Sequence, residues 1–463
     1  MYLADSRTAP GVPDTAGRSP SSGRRAAVPA TVLTLGTVSL VTDVSSEMVT
    51  AVLPLYLVAE LGLSPLGFGL LDGIHNGASA LVRLAGGRLS DRGPGGHKAV
   101  AAAGYGLSAL CKPLLLLVHG VPLIGAVLAA DRTGKGLRTA PRDAMISLAC
   151  DPAARGRAFG VHRAMDTAGA LIGPLVAFLV LRAAAGGYDA VFTVSGCTAA
   201  LGVLVLLLFV PGRTGAPGHR SAPAVRAPLR AVARRPEIRR LTACAVLLGL
   251  TTVSDSFLYL TLQRRLDLSE TWFPLLPLGT ASAFLLLAVP LGAVADRFGR
   301  RRLFLCGHLA LLGTYGLLTA PLGGSPALPC LALALHGSFY AATDGVLAAA
   351  AAGAVPASVR GSGLAVVQTG QTAARFACSI AFGAAWAAWG DRTALEAAAA
   401  GLAVSAAVSA LLLRPSRSPK STEATESTED TESTEAMEGT EGMEGTEHKE
   451  SPQGTKNAKD QAR

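Results

Sequence analysis

Long apolar stretches recur along the chain of 463 residues and are separated by short polar connections. Twelve of them reach the ~20 residues that an α-helix needs to cross the hydrocarbon of a bilayer, and they divide six and six around an arginine-rich segment. The predicted spans are 31–58, 66–88, 98–119, 122–148, 155–182 and 188–211, then 238–264, 272–295, 302–322, 328–352, 358–384 and 392–413. The pattern predicts an all-α membrane protein with twelve transmembrane helices in two six-helix bundles.

These spans divide the chain into five predicted segments. An N-terminal bundle at 30–211 and a C-terminal bundle at 238–413 are joined by a basic cytoplasmic linker at 212–237. The leader at 1–29 is rich in Pro, Ser and Arg, and the tail at 414–463 is acidic, with glutamate at every third position from Glu423 to Glu450. We expect leader and tail to be disordered and cytoplasmic, because such sequences cannot bury a core.

Composition agrees with a membrane location. Half of the residues (50%) are hydrophobic and 16% are charged, against about a quarter charged in soluble domains. The apolar residues are mainly Ala, Leu, Val and Gly, which suit helices packed closely in lipid better than a β-barrel. The seven cysteines are scattered and form no Cys-x-x-Cys pair. We therefore expect no disulfide framework, no metal site and no cofactor.

The positive charge of the chain is concentrated in alternate connections between spans. Arginine and lysine occur before span 1, after spans 2, 4, 8, 10 and 12, and in the linker, whereas the other connections contain few apart from Arg264 and Arg265. Because basic loops stay in the cytoplasm, this predicts a multi-pass protein of the plasma (inner) membrane with both termini cytoplasmic. Basic residues at helix ends, without interleaved aromatics, also argue against nucleic acid as a partner.

Short motifs recur at equal separation in the two halves. Arg155-Gly before span 5 corresponds to Arg360-Gly before span 11. A longer motif follows spans 2 and 8, with the same separation between its copies, and its residues are Gly87, Asp91 and Arg92 in the first copy and Gly292, Asp296, Arg297, Gly299 and Arg300 in the second. Duplication of a six-span unit explains these matches.

The repeated loop reads Gly-x-x-x-Asp-Arg, and its second copy continues with x-Gly-Arg-Arg. It resembles the signature of the major facilitator superfamily, and the resemblance to that family covers roughly residues 30–413. The resemblance implies two pseudo-symmetric bundles around a central cavity that opens to each side in turn. It also implies that the loop is a conformational latch at the cytoplasmic face, which does not touch substrate.

Two further motifs resemble this family. Arg132-Thr-Gly-Lys135-Gly136 in span 4 is similar to its Arg-x-x-Gln-Gly motif, with lysine in place of glutamine. Span 5 contains Gly169-Ala-Leu-Ile-Gly173-Pro174, which is similar to the motif of the proton-coupled exporters. We interpret Gly136, Gly169, Gly173 and Pro174 as hinge or packing residues. The sequences around Asp43 and Asp131 also resemble a bacterial branch whose members mostly lack an assigned substrate.

Charged residues inside the spans are candidates for function, because a charge at the bilayer centre is costly unless it is paired or faces a cavity. Asp43 and Glu47 lie on one face of span 1, and a stripe in span 4 comprises Asp131, Lys135, Arg138 and Arg142. The family resemblance implies that spans 1, 4, 7 and 10 line the cavity, which assigns to it Asp43, Glu47, Arg132, Lys135, Asp255 and Asp344.

Two interpretations of these charges stay open. In one, Asp43, Glu47 and Asp255 couple transport to protons, because a carboxylate near a base has two protonation states of similar energy. In the other, the same residues form closed salt bridges that hold helices together. A third group, Asp72, Asp131, Arg142 and Asp143, lies near span ends, where snorkelling to the interface is the expected explanation.

The sequence therefore predicts a secondary active transporter, an antiporter that effects proton-coupled efflux of a small solute by alternating access. The alternatives are an uptake symporter of an organic anion and a transport-inactive membrane sensor of the same fold. No phosphate-binding loop, His-Glu-x-x-His or Gly-x-Ser-x-Gly motif occurs, so we do not expect an enzyme. The expected partners are a small-molecule substrate, protons and the lipid bilayer, and we expect a monomer.

Overall fold

The computed structural model of the chain describes residues 28–90, 96–151, 154–184, 187–212, 229–321, 327–343, 346, 351 and 360–413. Within these ranges the regular structure is helical and contains no strand. The helices are α1 (Ala30–Leu55), α2 (Pro65–Ser90), α3 (Gly96–Leu117), α4 (Val121–Leu148), α5 (Arg155–Ala183), α6 (Gly187–Phe209), α7 (Leu229–Ala233), α8 (Pro236–Gly249), α9 (Asp255–Leu266), α10 (Leu275–Phe298), α11 (Arg300–Thr319), α12 (Ala327–Thr343) and α13 (Arg360–Leu412).

Seven of the described helical stretches are long and apolar enough to cross a membrane. They account for eight of the twelve predicted spans, because α13 covers two of them. The other four fall short of that measure for local reasons: α2 carries Asp72, His75 and Asn76, α4 carries several charges, one span is broken into α8 and α9, and the described part of another ends at Thr343. Large apolar side chains stay exposed along the outer faces, as lipid-facing positions require, and include Leu208, Phe209, Leu286, Val289 and Val404.

The same helix pairs pack in both halves of the molecule, here called the N-terminal half (α1–α6) and the C-terminal half (α8–α13). In the first, α4 packs on α2 and α3, while α1 packs on α5 and α6. In the second, α12 packs on α10 and α11, while α8 packs on α13. The described helices thus have the pseudo-symmetry that the repeated motifs predict. Gly390, with φ of 83°, interrupts α13 between the two spans predicted there.

A basic side chain at the start of the third predicted span of each half, in α3 and in α11, caps the last helix of that half. Lys98 Nζ donates to the carbonyl oxygens of Leu207 and Val210 at 2.9 and 2.7 Å, at the end of α6. Arg301 Nη2 donates to the carbonyl of Ala410 at 2.5 Å, at the end of α13. Terminal carbonyls have no partner within their own helix, and a cation there also favours the helix dipole.

The two arginines that interrupt the alternation of charge are used inside the fold. Arg265 donates to the carbonyls of Leu317, Leu318 and Ala320 at the end of α11. The Arg264 guanidinium stacks on the ring of Trp386, 5.1 Å from its centroid. Both cations are therefore paired on their side of the molecule.

The predicted span at 238–264 is broken at residues 250–254, between α8 and α9. Tyr315 of α11 bonds backbone groups that have no helical partner at this break. Its hydroxyl accepts from the Val253 amide at 2.8 Å and donates to the Thr251 carbonyl at 3.3 Å. Cys378 Sγ donates to the Thr252 carbonyl at 3.4 Å. These contacts supply hydrogen bonds that a continuous helix would otherwise make.

The two halves contact each other at the end where α1 ends, here called the far end (residues 56–77, 176–184, 187–188, 257–273 and 376–391). Phe68 packs edge-on against Phe257, with ring centroids 4.8 Å apart, and Phe178 packs against Trp272 at 5.3 Å. The Tyr188 hydroxyl donates to Glu270 Oε2 at 2.8 Å. The opposite end, where α1 begins, is called the near end.

The predicted leader and tail lie outside the described residues, except for 28–29. Most of the predicted linker also lies outside them, but its last part forms α7, and α8 begins at Pro236.

Candidate functional site

Acidic residues of α1 pair with basic residues of α4 near the middle of both helices. Glu47 Oε1 lies 3.4 Å from Lys135 Nζ, and Asp43 Oδ1 lies 3.3 Å from Arg138 Nη2. The side chains of the first pair are 26% and 33% exposed, whereas those of the second are 11% and 4% exposed. The two oppositely charged stripes therefore meet, and the Glu47–Lys135 pair is the more accessible.

Arg142 extends this network from α4 to α1 and α5. Its Nη1 donates to Ser39 Oγ at 3.3 Å and lies 3.4 Å from Asp166 Oδ1, while Nη2 lies 3.1 Å from Asp143 Oδ1. Asp43 and Asp166 both lie near Arg142 and interact electrostatically with it and with each other. Two acids that share a guanidinium repel each other when both are ionised, so their protonation states are linked.

Arg132 turns toward α2 and α1 and is itself largely buried, at 7% exposed. Its guanidinium bonds the His75 ring, and Nη2 donates to Thr50 Oγ1 at 3.1 Å. The structure thus holds Arg132 against neighbouring helices, on the turn of α4 that precedes Lys135.

The expectation of snorkelling is wrong for Asp131 and Asp72, which are 4% and 5% exposed. Asp131 Oδ1 lies 2.9 Å from Lys112 Nζ of α3 and accepts from Ser108 Oγ at 2.5 Å. Asp72 bonds Ser379 of α13. Position along a helix measures depth but not facing direction, and both acids face other helices.

The glycines of the predicted exporter motif bring α5 against α1. A Cβ at Gly169 would lie within about 3 Å of the Leu40 backbone, and one at Gly173 would meet the Val44 carbonyl and Glu47. Pro174 is buried beside them, and Gly136 is buried in α4. The close approach positions Glu47 on its helix, while a hinge role for these residues stays a prediction.

A second polar cluster lies in the C-terminal half around Asp255, the first residue of α9. Its Oδ1 accepts from His336 Nε2 at 3.0 Å and from Tyr340 Oη at 2.7 Å, both on α12. Arg375 of α13 contacts Tyr340. Among the described residues, His336 Nδ1 and Arg375 Nε are buried without a hydrogen-bond partner. Asp344, predicted to line the same cavity, lies outside the described residues.

Sequence reasoning missed His336 and Tyr340 as partners of Asp255. The two are four residues apart in a predicted span, so they share one helix face, and this spacing was the available signal. Aromatic and histidine residues are common in apolar helices, however, and nothing local indicates which carboxylate they meet.

The predicted latch is only partly described. Asp91 and Arg92 lie outside the described residues, and Gly87 lies in α2. In the second copy, Gly292 is exposed in α10, Arg297 is exposed at its end, and Gly299, with φ of 92°, makes the turn into α11. The side chains of Asp296 and Arg300 lie outside the described part. The positive φ explains a glycine at position 299.

The acids of these clusters have cationic, hydroxyl or imidazole partners. Within the described ranges, no group of three or more His, Cys, Asp or Glu side chains converges as a metal site. These partners set the proton affinity of each carboxyl group, so that affinity changes when the partners move away.

Comparison with known families and proteins gives the same picture along the chain. A family model described as Major Facilitator Superfamily matches residues 35–288 and 276–441. An uncharacterised MFS-type transporter of Methanocaldococcus jannaschii is 28% identical over 62% of this chain and 71% of its own length. An uncharacterised protein of Mycobacterium tuberculosis is 34% identical, over 40% of this chain and 45% of its own length.

Solved structures of low sequence identity share the fold. The nucleoside transporter NupG has a TM-score of 0.70 at 13% identity, covering 83% of this chain and 100% of that one. A bacterial homologue of the human lysosomal transporter Spinster, inward-facing and unoccupied, has a TM-score of 0.62 at 15% identity, covering 83% and 94%. The peptide transporter POT in complex with sulfate has a TM-score of 0.66 at 16% identity, covering 83% and 95%.

Proposed function

The chain belongs to the Major Facilitator Superfamily, and on that premise we propose that it is a secondary active transporter that exports a small solute in exchange for protons. As a member of that family it is a multi-pass membrane transporter. We propose its coupling to protons, its direction of transport and its orientation in the membrane from the geometry of the charged clusters.

The observation that carries proton coupling is the grouping of two acids, Asp43 of α1 and Asp166 of α5, around two arginines of α4. Arg138 Nη2 lies 3.3 Å from Asp43, and Arg142 Nη1 lies 3.4 Å from Asp166. The two acids repel each other when both are ionised, so a proton on one of them favours the arrangement in which they are close. A movement of α5 relative to α1 would separate them, remove that repulsion and release the proton.

Solute binding is assigned to the more accessible side chains at the same depth. Glu47 and Lys135 form a loose pair that a charged solute group can open, and Asp255 offers a carboxylate from the other half. Arg132 lies one turn of α4 before Lys135 and is proposed to line the same cavity. Asp344 is retained as a candidate from the sequence. The loops at Asp91 and Asp296 are proposed as the latch on the near end.

Orientation follows from the basic residues at the near end. Lys98 and Arg301 lie there with the arginine-rich connections, and such loops stay in the cytoplasm. The far end then faces outward, and its aromatic contacts close the transporter on that side. We infer a plasma-membrane protein with both termini inside, in a state closed to the exterior.

The test uses proteoliposomes that contain a pH-sensitive dye and a solute chosen by thermal stabilisation from nucleosides, dipeptides and monocarboxylates. Efflux of the solute should acidify the lumen if protons exchange for it. Alkalinisation would instead support symport, which the accessible Lys135 favours for an organic anion, and the absence of any solute-dependent change would support a transport-inactive sensor.

Variants connect the flux to the proposed residues. Asp43→Asn, Asp166→Asn and Glu47→Gln should abolish the coupled pH change while the protein still inserts and folds. Asp189→Asn, at an exposed position in the first turn of α6, is the matched control and should transport as the parent does. If each of these three single variants still shows coupled transport, the assignment of proton coupling to these residues is refuted.

A further inference from the structure

Asp72 of α2 is a buried acid at the contact between the two halves. Its Oδ2 atom accepts from Ser379 Oγ of α13 at 2.5 Å, and its Oδ1 atom accepts from Asn76 Nδ2 at 3.2 Å. Ser254 and Ser256, where α9 begins, also interact with this carboxyl group. Groups from both halves thus surround one carboxyl group.

The partners of Asp72 are uncharged, unlike those of the other buried acids. Asp131 has Lys112 at 2.9 Å and Asp43 has Arg138 at 3.3 Å. Among the described residues, no lysine or arginine lies within salt-bridge distance of Asp72. Burying an ionised carboxylate without a counter-charge costs several kcal/mol, so the neutral, protonated form suits this environment.

The carboxyl group is sealed by an unusually close crossing of α2 and α13. A Cβ at Gly69 would overlap the Ser379 carbonyl, and one at Gly383 would overlap the Pro65 carbonyl. The Phe376 ring lies against Gly73 in the same way. Water reaches Asp72 through this crossing only if the halves separate, so its hydration depends on the state of the far end.

The ionisable groups near Asp72 come from several elements. Asp255 on α9 and Cys378 on α13 both interact with it electrostatically, and Arg375 on α13 interacts with both of them. On the α4 side, Gly125 packs against Leu71 and Ile74, and Arg132 bonds His75, one turn of α2 from Asp72. A negative charge on Asp255 opposes a second one on Asp72.

We propose that Asp72 is a proton-binding site at the junction of the halves, which holds its proton while the far end is closed and releases it to water when the far end opens. The inference rests on the alternating access proposed above but not on the Asp43–Asp166 pair. It makes closure of the far end dependent on pH: acid favours the closed state and alkali the open one.

The tryptophans provide a label-free measurement of this closure. The chain has three of them, and Trp272, Trp386 and Trp389 all lie at the far end. Trp272 packs on Phe178 across the two halves, and Trp386 packs on Phe257, which itself contacts Phe68. Replacing the exposed Trp389 by phenylalanine removes the reporter that has neither a direct ring contact across the halves nor one through Phe257.

In nanodiscs without solute, tryptophan emission of the parent should shift to longer wavelength as pH rises from mildly acid to mildly alkaline. Asp72→Asn should keep the acid spectrum at every pH, because the amide mimics the protonated acid and keeps the Ser379 bond. Ser379→Ala should move the midpoint of this emission change to lower pH, because it removes a bond between the halves that stabilises the closed state. Asp189→Asn should respond as the parent.

A parent emission that does not respond to pH, or a response that persists in Asp72→Asn, would overturn the proposal. Infrared spectra provide an independent measurement, since the band of protonated carboxyl groups should lose intensity in Asp72→Asn at acid pH. Because no solute is present, a normal emission response together with failed coupled transport would refute the Asp43–Asp166 assignment and leave this inference standing.

Discussion

Replacing Lys112 by methionine should destabilise the N-terminal half strongly, because it leaves Asp131 buried without its closest counter-charge. Lys112 Nζ lies 2.9 Å from Asp131 Oδ1, and the two side chains are 2% and 6% exposed. The remaining partners are the Ser108 hydroxyl at 2.5 Å and Arg132 Nε, which lies 3.7 Å from Oδ2. Methionine matches lysine in length, so charge is the main change.

Breaking a buried pair by removing one partner costs about 3 to 5 kcal/mol. Arg132 partly compensates Asp131, which favours the lower end of that range for Lys112→Met. Asp131→Leu should cost as much, because it leaves the lysine buried alone. The double variant should recover most of the loss, to within about 1 kcal/mol of the parent, since apolar replacements of both partners are often neutral.

Equilibrium unfolding in mixed micelles, followed by helical circular dichroism, measures these free energies. Lys135→Met is the control, because the partly exposed Glu47–Lys135 pair at 3.4 Å should contribute less than about 1 kcal/mol. A Lys112→Met protein as stable as the Lys135→Met protein would refute the reasoning. So would a double variant less stable than either single variant.

Three further predictions concern helix contacts. Gly69→Ala should separate α2 from the backbone of α13, cost about 1 to 3 kcal/mol and red-shift tryptophan emission, whereas Gly106→Ala, with open space around it, should do neither. Tyr315→Phe should leave the Val253 amide unpaired, cost about 1 to 3 kcal/mol and speed its hydrogen exchange. Lys98→Met should speed exchange at the end of α6 by removing its cap, with no effect on α13.

The helices and the α1–α4 pairs were predictable from the sequence because both depend on local periodicity. Apolar run length determines the helices, and the four-residue spacing of Asp43 and Glu47 puts them on one face. The break before Asp255 was not predicted, although Thr251, Thr252 and Val253 are β-branched and disfavour helix. Its stability depends on Tyr315, which is 62 residues from Val253 in the chain, and no local pattern shows that contact.

The same limit explains why the burial of Asp72 and Asp131 was missed, whereas the pairing of Asp43 with span 4 could be inferred. Asp43 has an acidic neighbour one turn away and a matching basic stripe on another span, so the pattern itself contains the pairing. Asp72 and Asp131 depend on single partners, Ser379 and Lys112, on helices whose relative rotation the sequence does not specify. A buried pair made of single residues is recognisable only after packing is known.

α4 carries one set of charged residues that faces α3 and another that faces α1. The two interfaces differ in a way that indicates which helices move together during transport. Toward α3, Asp131 is bonded to Lys112, and the backbones of Gly134 and Gly104 approach so closely that neither position accepts a Cβ without displacement. Such an interface is dry, paired and dense, and packed interfaces move as units rather than deform continuously. Toward α1, the Glu47–Lys135 pair is longer, at 3.4 Å, and its side chains are partly exposed. Rearrangement during transport should therefore carry α3 and α4 together and change the contacts of α4 with α1, which is where an exchangeable solute contact is expected.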